Sequence, residues 1–187
     1  YMNTSGRLKA LAGRTNGAVC TSSNAHHIMA WARKQGKKIF FVPDQHLGEN
    51  SASAVGIGPD KWFHWPGGWE GRRMRTQTMD AARLAKLDAS EVVLWGSFCG
   101  VHTVFSTDHV GWWQNAGYQV LVHPECTRQV VEAADGAGST SYLWNALRDA
   151  PRGSRFAIGT EGHFVKNAMM LAEDRGIDVV NLADIPD

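Results

Sequence analysis

Short apolar runs alternate with longer stretches of helical periodicity along this chain. Lys38–Val42, Val92–Trp95, Gln119–Val122, Arg155–Ile158 and Asp178–Leu182 are rich in Val, Ile, Leu and Phe without strict polar alternation. That is the pattern of strands buried on both faces of a parallel sheet. Between them, Asn24–Gln35, Thr76–Leu87, Thr127–Ala134, Ser141–Arg148 and Phe164–Arg175 carry the helical pattern, and Gly36 and Gly176 follow two of these where a C-cap belongs. Such alternation predicts βαβ units, hence an α/β fold with parallel sheets and helices on both faces. Ile57–Gln77 breaks the pattern, with Trp62, Trp65 and Trp69 set among Gly, Pro and Arg. It is expected to be an irregular excursion: either an aromatic platform for a sugar or base, or, as loops of this composition more often are, a packed surface or an oligomer contact.

A second regularity lies over the first. Asn3-Thr4-Ser5, then Cys20-Thr21-Ser22-Ser23, a helix and Ile39-Phe40-Phe41-Val42-Pro43-Asp44 are echoed by His123-Pro124-Glu125-Cys126, then Gly138-Ser139-Thr140-Ser141, a helix and Phe156-Ala157-Ile158-Gly159-Thr160-Glu161. Polar tips, hydroxyl turns and strand–acid corners recur in the same order about 115–120 residues apart. Two copies of one α/β unit are therefore expected, over residues 1–90 and 91–187. In doubly wound sheets ligands bind beyond the carboxyl ends of the strands, where all of these motifs sit. Tyr1 opens directly onto a motif with no initiating Met, and the last residues read as a strand entering a loop. A piece of a longer chain is the expectation.

Composition narrows the class. With 43% hydrophobic and 20% charged residues the chain is globular, and 187 residues suffice for a core. Nineteen Lys and Arg against 18 Asp and Glu leave a net charge of +1, which provides no footprint for nucleic acid or anionic lipid. No apolar stretch is long enough to span a bilayer and no signal-peptide pattern opens the chain. Three widely spaced cysteines, at 20, 99 and 126, do not make a disulfide framework, so a reducing cytoplasm is expected.

The chemistry concentrates in a few places. Ser22 and Ser23, and Ser139 to Ser141, open expected helices; such hydroxyls either cap the helix or, with its free N–H groups, hold a carboxylate or phosphate. His123 and Glu125, two apart after the run Gln119–Val122, can serve as acid and base or as metal ligands, or belong to a plain loop in which Glu125 caps a helix. Cys99 and His102 form a second pair after Val92–Trp95, with Cys99 either a thiolate ligand, a nucleophile or a small buried hydrophobe. His26, His27, His46, His64, His109 and His163 read as surface or loop histidines.

Taken together, Tyr1-Met2-Asn3-Thr4-Ser5, Cys20-Thr21-Ser22-Ser23-Asn24-Ala25, Phe41-Val42-Pro43-Asp44-Gln45-His46-Leu47-Gly48, Trp95-Gly96-Ser97-Phe98-Cys99-Gly100-Val101-His102, His123-Pro124-Glu125-Cys126, Gly138-Ser139-Thr140-Ser141 and Gly159-Thr160-Glu161 resemble the quinolinate synthase (NadA-type) family in order and spacing, over essentially the whole chain. The resemblance implies a pseudo-threefold arrangement of α/β/α units, of which residues 1–90 would be the middle and 91–187 the third, both incomplete. It implies a cytoplasmic enzyme of de novo NAD biosynthesis that condenses iminoaspartate with dihydroxyacetone phosphate, losing phosphate and water. Such enzymes hold a 4Fe–4S cluster through cysteines of the different units, with one iron open to substrate. Cys99 would be the ligand here, with two further cysteine ligands outside this chain, and Cys20 and Cys126 would not be ligands. By the same resemblance Tyr1, Asn3, Ser22, His123, Glu125, Ser139 and Thr140 would bind substrate. His102, His123 and Glu125 would handle protons, with Glu125 the foremost acid/base. An enzyme supplying iminoaspartate would be the functional partner, and the 187 residues alone would neither hold a normal cluster nor turn over. Read without the resemblance, the residues leave two alternatives: a mononuclear metal hydrolase using His102, His123 and Glu125, and a non-catalytic module binding a dicarboxylate or sugar phosphate.

Overall fold

The structure, a computed structural model, describes residues 1–186. Its contacts divide the chain into one unit from Tyr1 to Phe98 and a second beginning at Cys99. The first runs α1 (Gly6–Arg14), α2 (Ala25–Lys34), β1 (Ile39–Phe41), α3 (Gln45–Ala54), β2 (Trp62–Trp65), α4 (Gly68–Arg73), α5 (Ala81–Ala89) and β3 (Val92–Trp95). The second runs α6 (Thr107–Asn115), β4 (Gln119–Val122), α7 (Arg128–Ala133), β5 (Gly136–Ala137), α8 (Thr140–Asp149), β6 (Arg155–Gly159), α9 (Gly162–Glu173) and β7 (Asp178–Asn181). Both sheets are wholly parallel, as the strand–helix alternation requires.

In the first unit the strand order is β1-β3-β2, with Val92 opposite both Ile39 and Trp62. The central position of β3 explains its uninterrupted apolar reading, since Val92, Val93 and Leu94 are all buried. One face of this sheet, formed by Phe41, Val92, Leu94 and Trp62, packs on Ala25 and Met29 of α2 and on Leu47 and Ala52 of α3. Helix α3 crosses close to that face at Gly48: a Cβ there would meet Leu94 Cδ2 at 2.5 Å and Phe41 Cδ1 at 2.9 Å. Asp44, the acid of the strand–acid corner, caps the helix by accepting from Leu47 N–H at 3.0 Å.

In the second unit the order is β5-β4-β6-β7. The pleat of β4 and β6 sorts their side chains into two cores. Leu121, Phe156 and Ile158 meet Leu143, Leu147, Val165 and Ala168 of α8 and α9. Val120, Val122 and Ala157 meet Val110 and Trp113 of α6 and Val130 of α7. The result is an α/β/α unit with helices on both faces of a parallel sheet. Glu161 repeats the role of Asp44 by accepting from the N–H groups of His163 and Phe164 at the start of α9.

The contact division falls after Phe98, since β3 is the centre of the first sheet. Two expectations are corrected. Ile57–Gln77 is not irregular throughout: Trp62–Trp65 pairs with β3 as an edge strand, and Gly68–Arg73 is helical. Helices α1, α3 and α6 occupy stretches with no strong apolar periodicity; Ser5, Asp44 and Ser106 cap them through side-chain oxygens. Among the described residues no helix is long and apolar enough to cross a membrane, and no disulfide forms.

Candidate active site

The candidate site of the second unit lies at the carboxyl ends of β4 and β6. Beyond β4, His123 N–H still donates to Gly159 O at 2.9 Å, so the chain keeps register with β6 for one residue past the strand. Cys126 N–H then donates to His123 O at 2.9 Å, closing a turn over Pro124 and Glu125. Strand pairing and turn together hold His123 and Glu125 in the interior, at 5% and 4% exposure. Thr160, the residue after β6, is buried beside them. His102 arrives from a short 3-10 turn, His102–Val104, whose first N–H donates to Cys99 O at 3.2 Å.

These side chains form one constellation. His102 Nδ1 lies 3.1 Å from Glu125 Oε2, an ion-pair distance, but the N–H direction is not aligned for a hydrogen bond. The other ring nitrogen of His102, Nε2, is 3.3 Å from Thr160 Oγ1. Its ring stacks on His123 with centroids 4.6 Å apart and planes 24° from parallel. His123 Nδ1 accepts from Glu125 N–H at 3.3 Å, which assigns the proton of the neutral ring to Nε2. Burial, reinforced by the neighbouring His102, pushes the His123 pKa down to about 4 even though Glu125 acts in the opposite direction. His123 is therefore a neutral imidazole at physiological pH and offers one N–H to a ligand.

Cys99 joins the group. Ligand atoms of Cys99, His102 and Glu125 all lie within 4.8 Å of one another, and thiolate, imidazole and carboxylate are ordinary donors to transition metals. Cys20 and Cys126, by contrast, are packed into the hydrophobic cores. Among the described residues Cys99 is thus the one cysteine that is not buried. An iron–sulfur cluster, held chiefly by thiolates, fits as a group to which these residues contribute a single ligand.

The depressed pKa of His123 has a consequence for stability. Its folded value near 4 lies below its unfolded value near 6.5, so the unfolded chain binds more protons throughout that interval. Stability is present above pH 6.5 and is lost as the pH falls toward 4, by at most about 3 kcal/mol from this residue. Denaturant titrations of the parent at pH 7 and pH 4.5 should reveal this loss, and His123→Gln should reduce it markedly. An identical acid response in parent and variant would refute the assignment.

The other expected site residues are distributed as follows. Ser139 is buried and caps α8 by accepting from Tyr142 N–H at 3.4 Å, leaving its own O–H to donate; Thr140 is exposed on the first turn. Tyr1, Asn3 and Ser22 belong to the first unit. There Met2 N–H donates to Cys20 O at 2.8 Å and Tyr1 N donates to Val42 O at 2.7 Å, bringing residues 1–3 and 20–22 together just beyond β1. Asn3 Nδ2 donates to the Tyr1 hydroxyl at 3.2 Å. Two sets of polar residues carry no assignment from the sequence. Thr160 sits within the quoted Gly159-Thr160-Glu161 motif but finds His102 only through the pairing of β4 with β6. Glu49 gathers His46 and His64, which read as surface histidines, because an i, i+3 pair on α3 faces the edge strand β2.

Comparison with known proteins adds an independent line. The family described as "Quinolinate synthetase A protein" matches residues 1–183. The quinolinate synthase of Geobacillus kaustophilus is 41% identical over 184 residues, covering 97% of this chain and 47% of the relative. That of Acidobacterium capsulatum is 39% identical over 186 residues, or 98% and 48%. That of Corynebacterium glutamicum is 41% identical over 169 residues, or 89% and 41%. The chain spans about half the length of the curated relatives it matches. These relatives lend no support to the hydrolase alternative.

Proposed function

The chain belongs to the NadA family, that of the quinolinate synthetase A protein, and from that membership we propose that it forms part of a quinolinate synthase active site. The reaction condenses iminoaspartate with dihydroxyacetone phosphate and releases phosphate and water to give quinolinate, a precursor of NAD. The observation that carries the reading is the buried His102–Glu125–His123 constellation beside Cys99, on a chain matched by the family over residues 1–183.

Dehydration and imine closure need protons delivered to leaving oxygens and taken from carbon, out of contact with bulk water. Glu125 is the proposed acid/base: its Oε2 faces His102 Nδ1, and His102 is in turn oriented by Thr160. His102 passes protons between this carboxyl and substrate. His123, neutral with Nε2–H, donates a hydrogen bond to a substrate oxygen. The hydroxyls of Ser139 and Thr140, with the N–H groups opening α8, bind a substrate carboxylate. In the first unit Tyr1, Asn3 and Ser22 are assigned to substrate binding. Cys99 is the proposed ligand of a 4Fe–4S cluster, with two further cysteines contributed from outside this chain. Bound there, the cluster would supply a Lewis-acidic iron for a substrate hydroxyl or carboxylate. The two units are proposed as the middle and third of a pseudo-threefold set in a cytoplasmic enzyme, whose functional partner is the enzyme that generates iminoaspartate.

The test is anaerobic assay of the protein with the flanking segments its relatives possess, iminoaspartate being generated in place and dihydroxyacetone phosphate added. Quinolinate is the expected product, and the 187 residues alone should yield none. A cluster-loaded longer protein that forms no quinolinate would overturn the reading.

A further inference from the structure

We infer that Glu49 is a positioning residue for the cluster ligand: its carboxylate ties helix α3 to strand β2, and these two elements clamp the Gly96–Phe98 segment that delivers the chain to Cys99. The inference rests on the assignment of Cys99 as a ligand and concerns residues outside the constellation described above.

Glu49 lies on α3 with its side chain only 12% exposed. Its Oε1 accepts from Gln45 Nε2 at 2.9 Å and lies 2.8 Å from His64 Nε2 on β2, while Oε2 faces His46 Nδ1 at 3.6 Å. Burial alone would raise this carboxyl, but His46, His64 and Gln45 around it hold it well below the usual carboxylate range, and Glu49 in turn raises His46. A half-buried carboxylate with two imidazoles and an amide on it is an expensive arrangement for a mere surface contact.

The elements it joins converge on one segment. From α3, Gln45 N–H donates to Ser97 O at 2.8 Å, and the His46 ring lies 5.5 Å from that of Phe98, centroid to centroid. From the end of β2, Trp65 O accepts from Gly96 N–H at 2.7 Å. Here the two backbones approach so closely that a Cβ on Gly67 would fall 1.5 Å from Gly96 O. The contacts form a closed circuit: α3 to β2 through Glu49 and His64, β2 to Gly96 through the backbone, and Ser97 and Phe98 back to α3. Phe98 is bonded directly to Cys99. Opening the circuit at Glu49 leaves the segment tied at Gly96 but lets Ser97 and Phe98 move with α3.

The experiment measures alkylation of Cys99 by iodoacetamide, resolved by peptide mapping, in the cluster-free longer protein. Glu49→Ala and the milder Glu49→Gln are compared with Arg33→Ala, which breaks the exposed Arg33–Glu91 ion pair of the same unit. Glu49→Ala should accelerate Cys99 modification at least about fivefold through easier local opening. Glu49→Gln, which keeps an acceptor for Gln45, should fall between it and the parent. Arg33→Ala should leave the rate unchanged, and Cys20 and Cys126 should stay protected in all variants. In cluster-loaded protein the Glu49→Ala reduction potential should shift, a readout that loss of stability alone does not move. Unchanged Cys99 kinetics in Glu49→Ala would overturn the inference, as would an acceleration shared by Cys20, Cys126 or Arg33→Ala. Failure of the cluster reading is separate: it appears as a protein that takes up no iron, whatever its alkylation rates.

Discussion

Cys99→Ala in the longer protein is expected to abolish both iron–sulfur absorbance and quinolinate formation. The expectation comes from accessibility as much as from motif position. Cys99 is the one cysteine of the described residues whose sulfur reaches a cluster of other ligand atoms; Cys20 and Cys126 are 3% and 0% exposed and packed among apolar side chains. A bound Lewis acid contributes several kcal/mol to charge development in the transition state. At tenfold per about 1.4 kcal/mol, its loss lowers the rate by about a thousandfold or more. Cys126→Ala is the informative control. It removes a buried small hydrophobe and should cost about 1 kcal/mol of stability while leaving cluster content intact. The measurements are iron and acid-labile sulfide per chain, and quinolinate formed under anaerobic conditions. Loss of the cluster in Cys126→Ala with retention in Cys99→Ala would invert the ligand assignment. Retention of product in Cys99→Ala would detach the activity from this cysteine.

Much of the fold is legible in the sequence, and the parts that are not share a cause. Val92–Trp95 and Gln119–Val122 read as strands with their observed limits because each lies inside a sheet, where the apolar run coincides with the paired run. Trp62–Trp65 escapes the same reading because it is an edge strand that includes a half-exposed His64 and is flanked by Pro59 and Pro66. Its pairing with β3 is a tertiary fact that no local pattern encodes. Gly136–Ala137 is too short to carry a period. Helix α3 holds Gly48, which argues against a helix by propensity, yet a Cβ there would press on Leu94 and Phe41 and force them to shift.

The candidate site divides along the same line. His102, His123 and Glu125 stand out because titratable residues cluster just after apolar runs, and the structure does bring them into contact. What the sequence could not provide is the second layer. Thr160 reaches His102 across fifty-eight positions of chain, and Glu49 reaches His64 across fifteen. Sequence spacing reveals pairs carried on one element; pairs made by strand order or by a helix crossing an edge strand become visible only once the sheets are assembled. The orienting partners that decide ring direction and proton position in such sites belong mostly to this second kind.

The second large effect is expected at Glu125. Glu125→Gln keeps the volume of a side chain that is 4% exposed but removes its ability to take and return a proton. Positioned acid–base groups contribute typically about 10²–10⁴-fold, so kcat should fall by that range while KM moves far less. The substitution also separates two roles that the geometry places side by side, since Glu125 shares with Cys99 and His102 a space of ligand dimensions. As a proton carrier, Glu125 can be replaced by Gln without loss of iron, sulfide or the cluster spectrum. As a metal ligand, its replacement strips or perturbs the group. The decisive measurement is therefore a pair: steady-state quinolinate formation and cluster content on the same preparation. Low kcat with an intact cluster supports the proton-carrier assignment. Low kcat with a depleted cluster transfers Glu125 to the ligand set, and His102, 3.1 Å from it, becomes the remaining group able to move protons beside the substrate. Unchanged kcat would remove Glu125 from the mechanism altogether.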